Sequence, residues 1–233
     1  SQLKKIQLTK EKIVVTGNGR VGNGILEILK KIKIKQVSVT DFLNTSFDEC
    51  VFAHLDTLDY NVRIDGAVYD KYDFYNNPHL YKSSFMNFAK HADIFIAGHY
   101  YGTGSPFLFT REDVKHIDFN LKVVGDISCD IDGPVASTIR SSTIKDPVYG
   151  YNPLTEQEDN FQKEGVIAVM AVDNLPCELP KDASQDFGNE LISNIFPSLI
   201  GNDDDKMIAN ATICDKASLA SNFKYLQKFL KED

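Results

Sequence analysis

Residues 12–41 read KIVVTGNGRVGNGILEILKKIKIKQVSVTD. A short apolar run, Ile13-Val14-Val15, gives out at a glycine-rich turn, after which Val21, Ile25, Ile28 and Ile32 recur at helical spacing. The glycines fall as Gly17-x-Gly19-x-x-Gly22, and a second run closes on Asp41, 24 residues after Gly17. Strand, tight turn, amphipathic helix, strand and acid, in that order, predict a βαβ unit that holds a dinucleotide. Gly17 permits the turn, Gly19 lets the backbone approach a pyrophosphate, and Gly22 lets the helix lie close to the sheet. The phosphates then meet the unpaired amides and positive dipole end of the helix. Asp41 is expected to accept hydrogen bonds from the adenosine ribose and to repel a 2′-phosphate, which favours NAD over NADP. A glycine-rich turn in some other α/β protein, binding no nucleotide, is the competing reading. Arg20 is either a phosphate- or nicotinamide-side contact or a solvated loop residue, because the motif leaves that position open.

With 233 residues, 42% of them hydrophobic, the chain can form one large α/β domain or a domain with an appendage. Its 25 basic and 33 acidic side chains give a net charge of −8, which argues against nucleic acid or an anionic membrane as partner. Cys50, Cys129, Cys177 and Cys214 lie far apart without a CxxC, as expected of reduced thiols in a cytoplasmic protein without a cysteine metal site. No apolar run approaches a membrane span, and SQLKKIQLTKEK carries no signal-peptide core. The chain begins with Ser1, which suits a trimmed or separately expressed piece.

Residues 1–11 are expected to finish a helix that leads into the first strand. Residues 42–92 break the βα rhythm: they offer one strand near 50–55, a turn at Asp65-Gly66 and a helix over 83–91 on Phe85, Phe88 and Ala89. Their many aromatics either flank the adenine or, the preferred reading, form a satellite cluster under a long loop. Residues 93–98 and 121–127 read as buried strands ending in His99-Tyr100-Tyr101-Gly102 and Ser128-Cys129-Asp130, with a helix N-cap at Thr110 between them. Residues 133–153 look extended and turn-rich. Residues 166–172 form a third apolar strand, closed by Asp173. Phe187, Leu191, Ile195 and Leu199 then mark an amphipathic helix with Asp182 in its first turn, Asp203-Asp204-Asp205 an acidic helix start in preference to a metal site, and residues 217–230 a last helix.

The fold expected is a Rossmann-type, doubly wound, mainly parallel sheet. An NAD(P)-binding domain would occupy residues 1–178, and a helical segment, 179–233, would pack on it or on a further substrate domain. Apolar surface left open by such a segment would favour a homodimer.

Four stretches, GNGRVGNGILEIL, ADIFIAGHYY, VVGDISCDIDGPV and AVDNLPCELPKDASQDFGNEL, make the chain resemble the lysine-forming saccharopine dehydrogenases and their relatives, the lysine–oxoglutarate reductases and alanine dehydrogenases. The resemblance covers nearly everything outside residues 44–90, and its last stretch is the most specific. It implies an NAD(P)-linked oxidoreductase acting on CH–NH groups, with saccharopine oxidised and hydrolysed to lysine and 2-oxoglutarate. Gly17, Gly19, Arg20, Val21 and Gly22 match the family's pyrophosphate turn and Asp41 its ribose acid. His99 and Tyr100 match residues over the cofactor ribose, and Asp173 matches a carboxylate beside the nicotinamide, so Asp173 and His99 are the catalytic candidates. Read from the residues alone, Asp173 could instead cap its own turn. The family's principal proton-transferring Lys and His belong to a domain ahead of the nucleotide domain and have no match here, so the chain is expected to be the cofactor-binding part of a larger enzyme. A reductase or alanine dehydrogenase relative, or a freestanding NAD-binding regulatory module, is the alternative.

Overall fold

In the computed structural model, which describes residues 5–102 and 104–230, the first apolar run forms strand β1 (Lys12–Thr16). Ile13 and Val15 pack with Ile25, Leu29 and Phe52 on one face of a sheet, and Val14 packs with Phe42, Phe95 and Val124 on the other. A strand covered on both faces needs no polar alternation, hence the unbroken apolar run. Residues 6–11, where the end of a helix was expected, contain none, and residues 1–4 lie outside the described residues. Helix α1 (Arg20–Lys31) buries Gly22, Ile25 and Leu29. Val21 and Ile28, expected in that stripe, are exposed, because the stripe runs through Gly22 and Leu29, one position along.

The second strand departs further from expectation. β2 is only Lys35–Gln36, and the chain turns at Ser38 into α2 (Val39–Asn44). Ser38-x-x-Asp41 caps that helix: the Asp41 amide donates to Ser38 Oγ (3.0 Å) and the Ser38 hydroxyl to the Asp41 carboxylate (2.7 Å). Asp41 is therefore in a helical first turn and not at a strand end. The next strand, β3 (Val51–Leu55), takes the place beside β1, paired in parallel from Lys12↔Val51 to Thr16↔Leu55, with β2 on its outer side. The residue that leaves this strand is Asp56.

Residues 57–89 are more structured than the single strand and helix expected of residues 42–92. α3 (Thr57–Tyr60) leads into a hairpin of β4 (Asn61–Arg63) and β5 (Tyr81–Ser83), whose long connection carries α4 (Lys71–Asn76). The connection turns at Asp65-Gly66, with Gly66 at φ 78°. Tyr69, Phe74 and Tyr81 meet edge-on or tilted, with centroids 5.2–5.7 Å apart, and Arg63 pairs with Asp65 and Asp73 beside them. The helix expected over 83–91 shortens to α5 (Met86–Ala89).

Beyond it lie β6 (Ile94–Ala97), α6 (Arg111–Val114), capped by Thr110, and β7 (Val123–Asp126). The stretch read as merely extended contributes β8 (Tyr149–Asn152), followed by β9 (Gln157–Asp159) and β10 (Ile167–Met170). The eight strands run β2-β3-β1-β6-β7-β10-β8-β9. The first six are parallel, and β8 and β9 close the edge antiparallel.

The chain divides into two units, up to Asn174 and from Leu175. The break expected at 178/179 falls one short helical turn later, after Leu175–Glu178. In the second unit α7 (Pro180–Glu190) continues through a π turn (Leu191–Ile195) into α8 (Phe196–Ile200). Pro197 accounts for the π turn, since it lacks an amide and its ring crowds the carbonyl four residues back. The Asp203 carboxylate accepts from the Ile208 and Ala209 amides in α9 (Met207–Ala211). The last helix expected, over 217–230, is instead a hairpin of β11 (Cys214–Asp215) and β12 (Ser218–Leu219) followed by 3₁₀ turns (Ser221–Leu230). Lys216 and Ala217, both at positive φ, make its two-residue turn. No helix among the described residues is long and apolar enough to cross a membrane.

Candidate functional site

From β1 the sheet grows toward β3 and β2 on one side and toward β6, β7 and β10 on the other. Such a reversal of strand order opens a crevice beyond the carboxyl ends of the central strands. A cleft of ≈ 780 Å³ lies there, lined by residues 17–21 after β1, Leu55 to Thr57 at the end of β3, Gly98 to Tyr101 after β6, and Ser128 and Asp130 after β7.

The three glycines do different things. Gly17 sits at φ 102°, and a Cβ there would come within 2.1 Å of the Gly98 carbonyl oxygen. A Cβ on Gly22 would fall 1.7 Å from the Gly17 carbonyl oxygen, so these two are closed against backbone. Gly19 is open, with nothing within 4 Å of its Cβ position. It is also the N-cap of α1, where no side chain caps the helix and no acid occupies the first turn. The free amides and the dipole thus face the cleft uncompensated, with Arg20 beside them.

Two histidines flank the turn. From β6, His99 Nδ1 lies 2.8 Å from Thr16 Oγ1, while its Nε2 is buried without a partner. Burial pushes the His99 imidazole from an ordinary 6.5 down to about 4, against the pull of Asp126. At neutral pH it is an uncharged hydrogen-bonding group and a poor proton acceptor. From β3, His54 Nε2–H donates to the Gly17 carbonyl at 2.8 Å. Nothing in the glycine pattern points to His54.

Of the remaining candidates, Arg20, Val21 and Tyr100 line the cleft, whereas Asp41 and Asp173 do not. Asp41 is engaged with Ser38, and Asp173 is exposed after β10. Asp173 lies close enough to Cys129 to help raise its thiol, after burial and Asp126. Two acids do line the cleft, Asp130 after β7 and Asp56 at the end of β3; Asp56 is the one that leaves the strand beside β1. It is the N-cap of α3, its Oδ1 accepting from the Thr57 amide at 2.6 Å and lying 3.6 Å from Lys71 Nζ. Its signal was present in VFAHLD, a strand ending in an acid. At the far wall, burial and then Asp126 raise Asp130.

The aromatics of residues 57–83 fall into two groups. Tyr69 and Tyr81 belong to the satellite cluster, while Tyr60 and Tyr75 line the cleft. A connecting recess of ≈ 150 Å³ is walled by Tyr60, Phe74, Tyr75, Tyr100, Tyr101 and Leu108 among others.

The model of the family "Alanine dehydrogenase/PNT, C-terminal domain" matches residues 3–222. The chain belongs to this family. The alanine dehydrogenase/PNT C-terminal domain binds NAD(P), and its family consists of NAD(P)-dependent oxidoreductases. Curated relatives include the mitochondrial alpha-aminoadipic semialdehyde synthase of Mus musculus, 25% identical over 252 residues and matched over 92% of this chain and 26% of its own length. The alpha-aminoadipic semialdehyde synthase of Arabidopsis thaliana is 26% identical over 247 residues, covering 94% of this chain and 23% of its own. The chain thus spans about a quarter of the length of these relatives. A solved L-alanine dehydrogenase shares the fold, with a TM-score of 0.52 at 16% identity over 94% of this chain and 54% of the other.

Proposed function

We propose that this chain holds NAD for an amino-acid oxidoreductase of the saccharopine dehydrogenase type. The observation that supports this best is the open, uncapped N-terminus of α1 at Gly19, facing a cleft of dinucleotide size. The residues fit the cofactor: amides around Gly19 and the Arg20 guanidinium would hold the pyrophosphate, and Asp56 the adenosine ribose. The recess beside Tyr60 and Tyr75 would take the adenine. Asp56 replaces Asp41 as the ribose acid, and its charge would repel a 2′-phosphate. His99 and Tyr100 would lie along the cofactor, with His99 offering a hydrogen bond and no proton transfer at neutral pH. When bound, NAD supplies a hydride acceptor for an amine-bearing carbon; the saccharopine reaction is the substrate assignment most in keeping with the relatives. Asp173 stands outside the cleft and is retained only as a candidate for the nicotinamide side.

Titration of NADH and NADPH into the chain, followed by cofactor fluorescence without interference from tryptophan, of which the chain has none, tests this. NADH should bind saturably and more tightly than NADPH. Gly19→Val should abolish binding with an unchanged melting temperature, since a Cβ there has no heavy atom within 4 Å. Asp56→Asn should weaken NADH about tenfold, as expected for lost charge-assisted hydrogen bonds, and Asp41→Asn should leave it unchanged. Absence of binding by either cofactor would overturn the reading.

A further inference from the structure

β3 reads VFAHL, and His54 is its single polar residue. Its strand neighbours Ala53 and Leu55 are fully buried, and a polar group in a strand covered on both faces is costly unless it is bonded. His54 stands opposite Val15 in the register, two residues before the glycine turn. From there its Nε2–H reaches the Gly17 carbonyl at 2.8 Å. The same oxygen lies where a side chain on residue 22 would start, so this carbonyl is held between His54 and α1.

A trans peptide is planar, with its C=O and the following N–H pointing in opposite directions. Fixing the Gly17 carbonyl toward β3 therefore fixes the Asn18 N–H on the opposite side. Gly17 and Asn18 line the cleft and His54 does not. Among the described residues the Asn18 amide has no backbone acceptor. We propose that His54 is a positioning residue for the phosphate-binding turn: it holds the Gly17 carbonyl so that the Asn18 amide is set in advance to donate to a pyrophosphate oxygen. This rests on the dinucleotide reading above. A donor already aimed before the ligand arrives costs no ordering on binding.

The experiment compares wild type, His54→Phe, which keeps a ring and loses the donor, and His54→Gln, whose amide nitrogen stands as many bonds from the backbone as Nε2. ADP-ribose and NADH are titrated into each, with a thermal melt of every variant. His54→Phe should bind both ligands about tenfold more weakly, the usual effect of one lost hydrogen bond. His54→Gln should recover most of that loss, whereas a merely space-filling role would favour Phe. In the wild type the Asn18 amide proton resonance should move downfield on adding ADP-ribose, a measurement that needs no variant to fold. Equal affinities of His54→Phe and wild type, or an unmoved Asn18 amide in a wild type that binds, would overturn the positioning role and leave the dinucleotide reading standing. A wild type that binds neither ligand would overturn both.

Discussion

The turn after β1 and the segment from Leu175 onward both carry clear sequence patterns, yet they bear on structure differently. Around the turn, pattern and packing coincide: Ile13, Val14 and Val15 are at most 2% exposed, and Gly17 and Gly22 touch backbone on every close side. In the second unit the helical period is just as plain and α7 and α8 follow it, but no described residue beyond Val172 is buried. Phe187, Ile192 and Leu199 stay more than half exposed. An amphipathic repeat is a local property that sets a helix; burial depends on what the repeat meets.

The largest expected effect sharpens this contrast at the turn. Gly22→Val places a side chain on the Gly17 carbonyl, which neither α1 nor β1 can yield. It should cost on the order of 5 kcal/mol in a denaturant melt and lose NADH binding as well. A variant that folds and binds as wild type would mean that the turn and helix separate easily. Next comes a matched pair of truncations. Phe95 is fully buried against Phe85 and Phe109, so Phe95→Ala should cost about 4 kcal/mol and lower the melting temperature by roughly 10 °C. Phe187→Ala, at a side chain 66% exposed, should stay within about 0.5 kcal/mol of wild type. A large loss at Phe187 would break the comparison, because it would show that the second unit is held by packing.

The same contrast separates what could be read in the sequence from what could not. The Gly17–Gly22 spacing specified its turn because the approach of Gly22 to the Gly17 carbonyl lies within five residues, while the Gly98 carbonyl that closes on Gly17 comes from the far end of β6. Asp41 is read from the sequence as closing the second strand and instead lies in α2, because which strand lies beside β1 is a non-local fact: the chain visits the outer edge as β2 before returning as β3. Ser38-Val39-Thr40-Asp41 carried its own warning, since a Ser three residues before an acid is a helix-capping signal as readily as the end of a strand. The β11–β12 hairpin was illegible because Lys216-Ala217 lacks the Asn-Gly or Asp-Gly that announces such a turn. β8 was missed because Tyr149-Gly150-Tyr151 shows its strand character only against β10. His54 looked like one polar residue in an apolar strand, and its meaning depends on a carbonyl supplied by a different element.

The last of the expected effects concerns acid, and it too belongs to the first unit, since all five histidines precede residue 174. His99 has an ordinary value of 6.5 when exposed and about 4 when buried beside Thr16. Between those values the unfolded chain binds a proton that the folded chain refuses, so stability rises with pH across this window. The contribution is complete above pH 6.5 and is lost progressively toward pH 4, amounting to on the order of 3 kcal/mol. Asp65 and Asp159, held down to about 2 by Arg63 and Lys163, lose their contributions only at still lower pH. Denaturant melts at half-unit steps from pH 8 to 4 should therefore show wild type falling more steeply than His99→Gln, with the two curves parallel above pH 7. Parallel curves throughout would mean that His99 takes up its proton as readily folded as unfolded. In that case the wall of the cleft at β6 would be open to water, and the neutral hydrogen-bonding role assigned to His99 would fall.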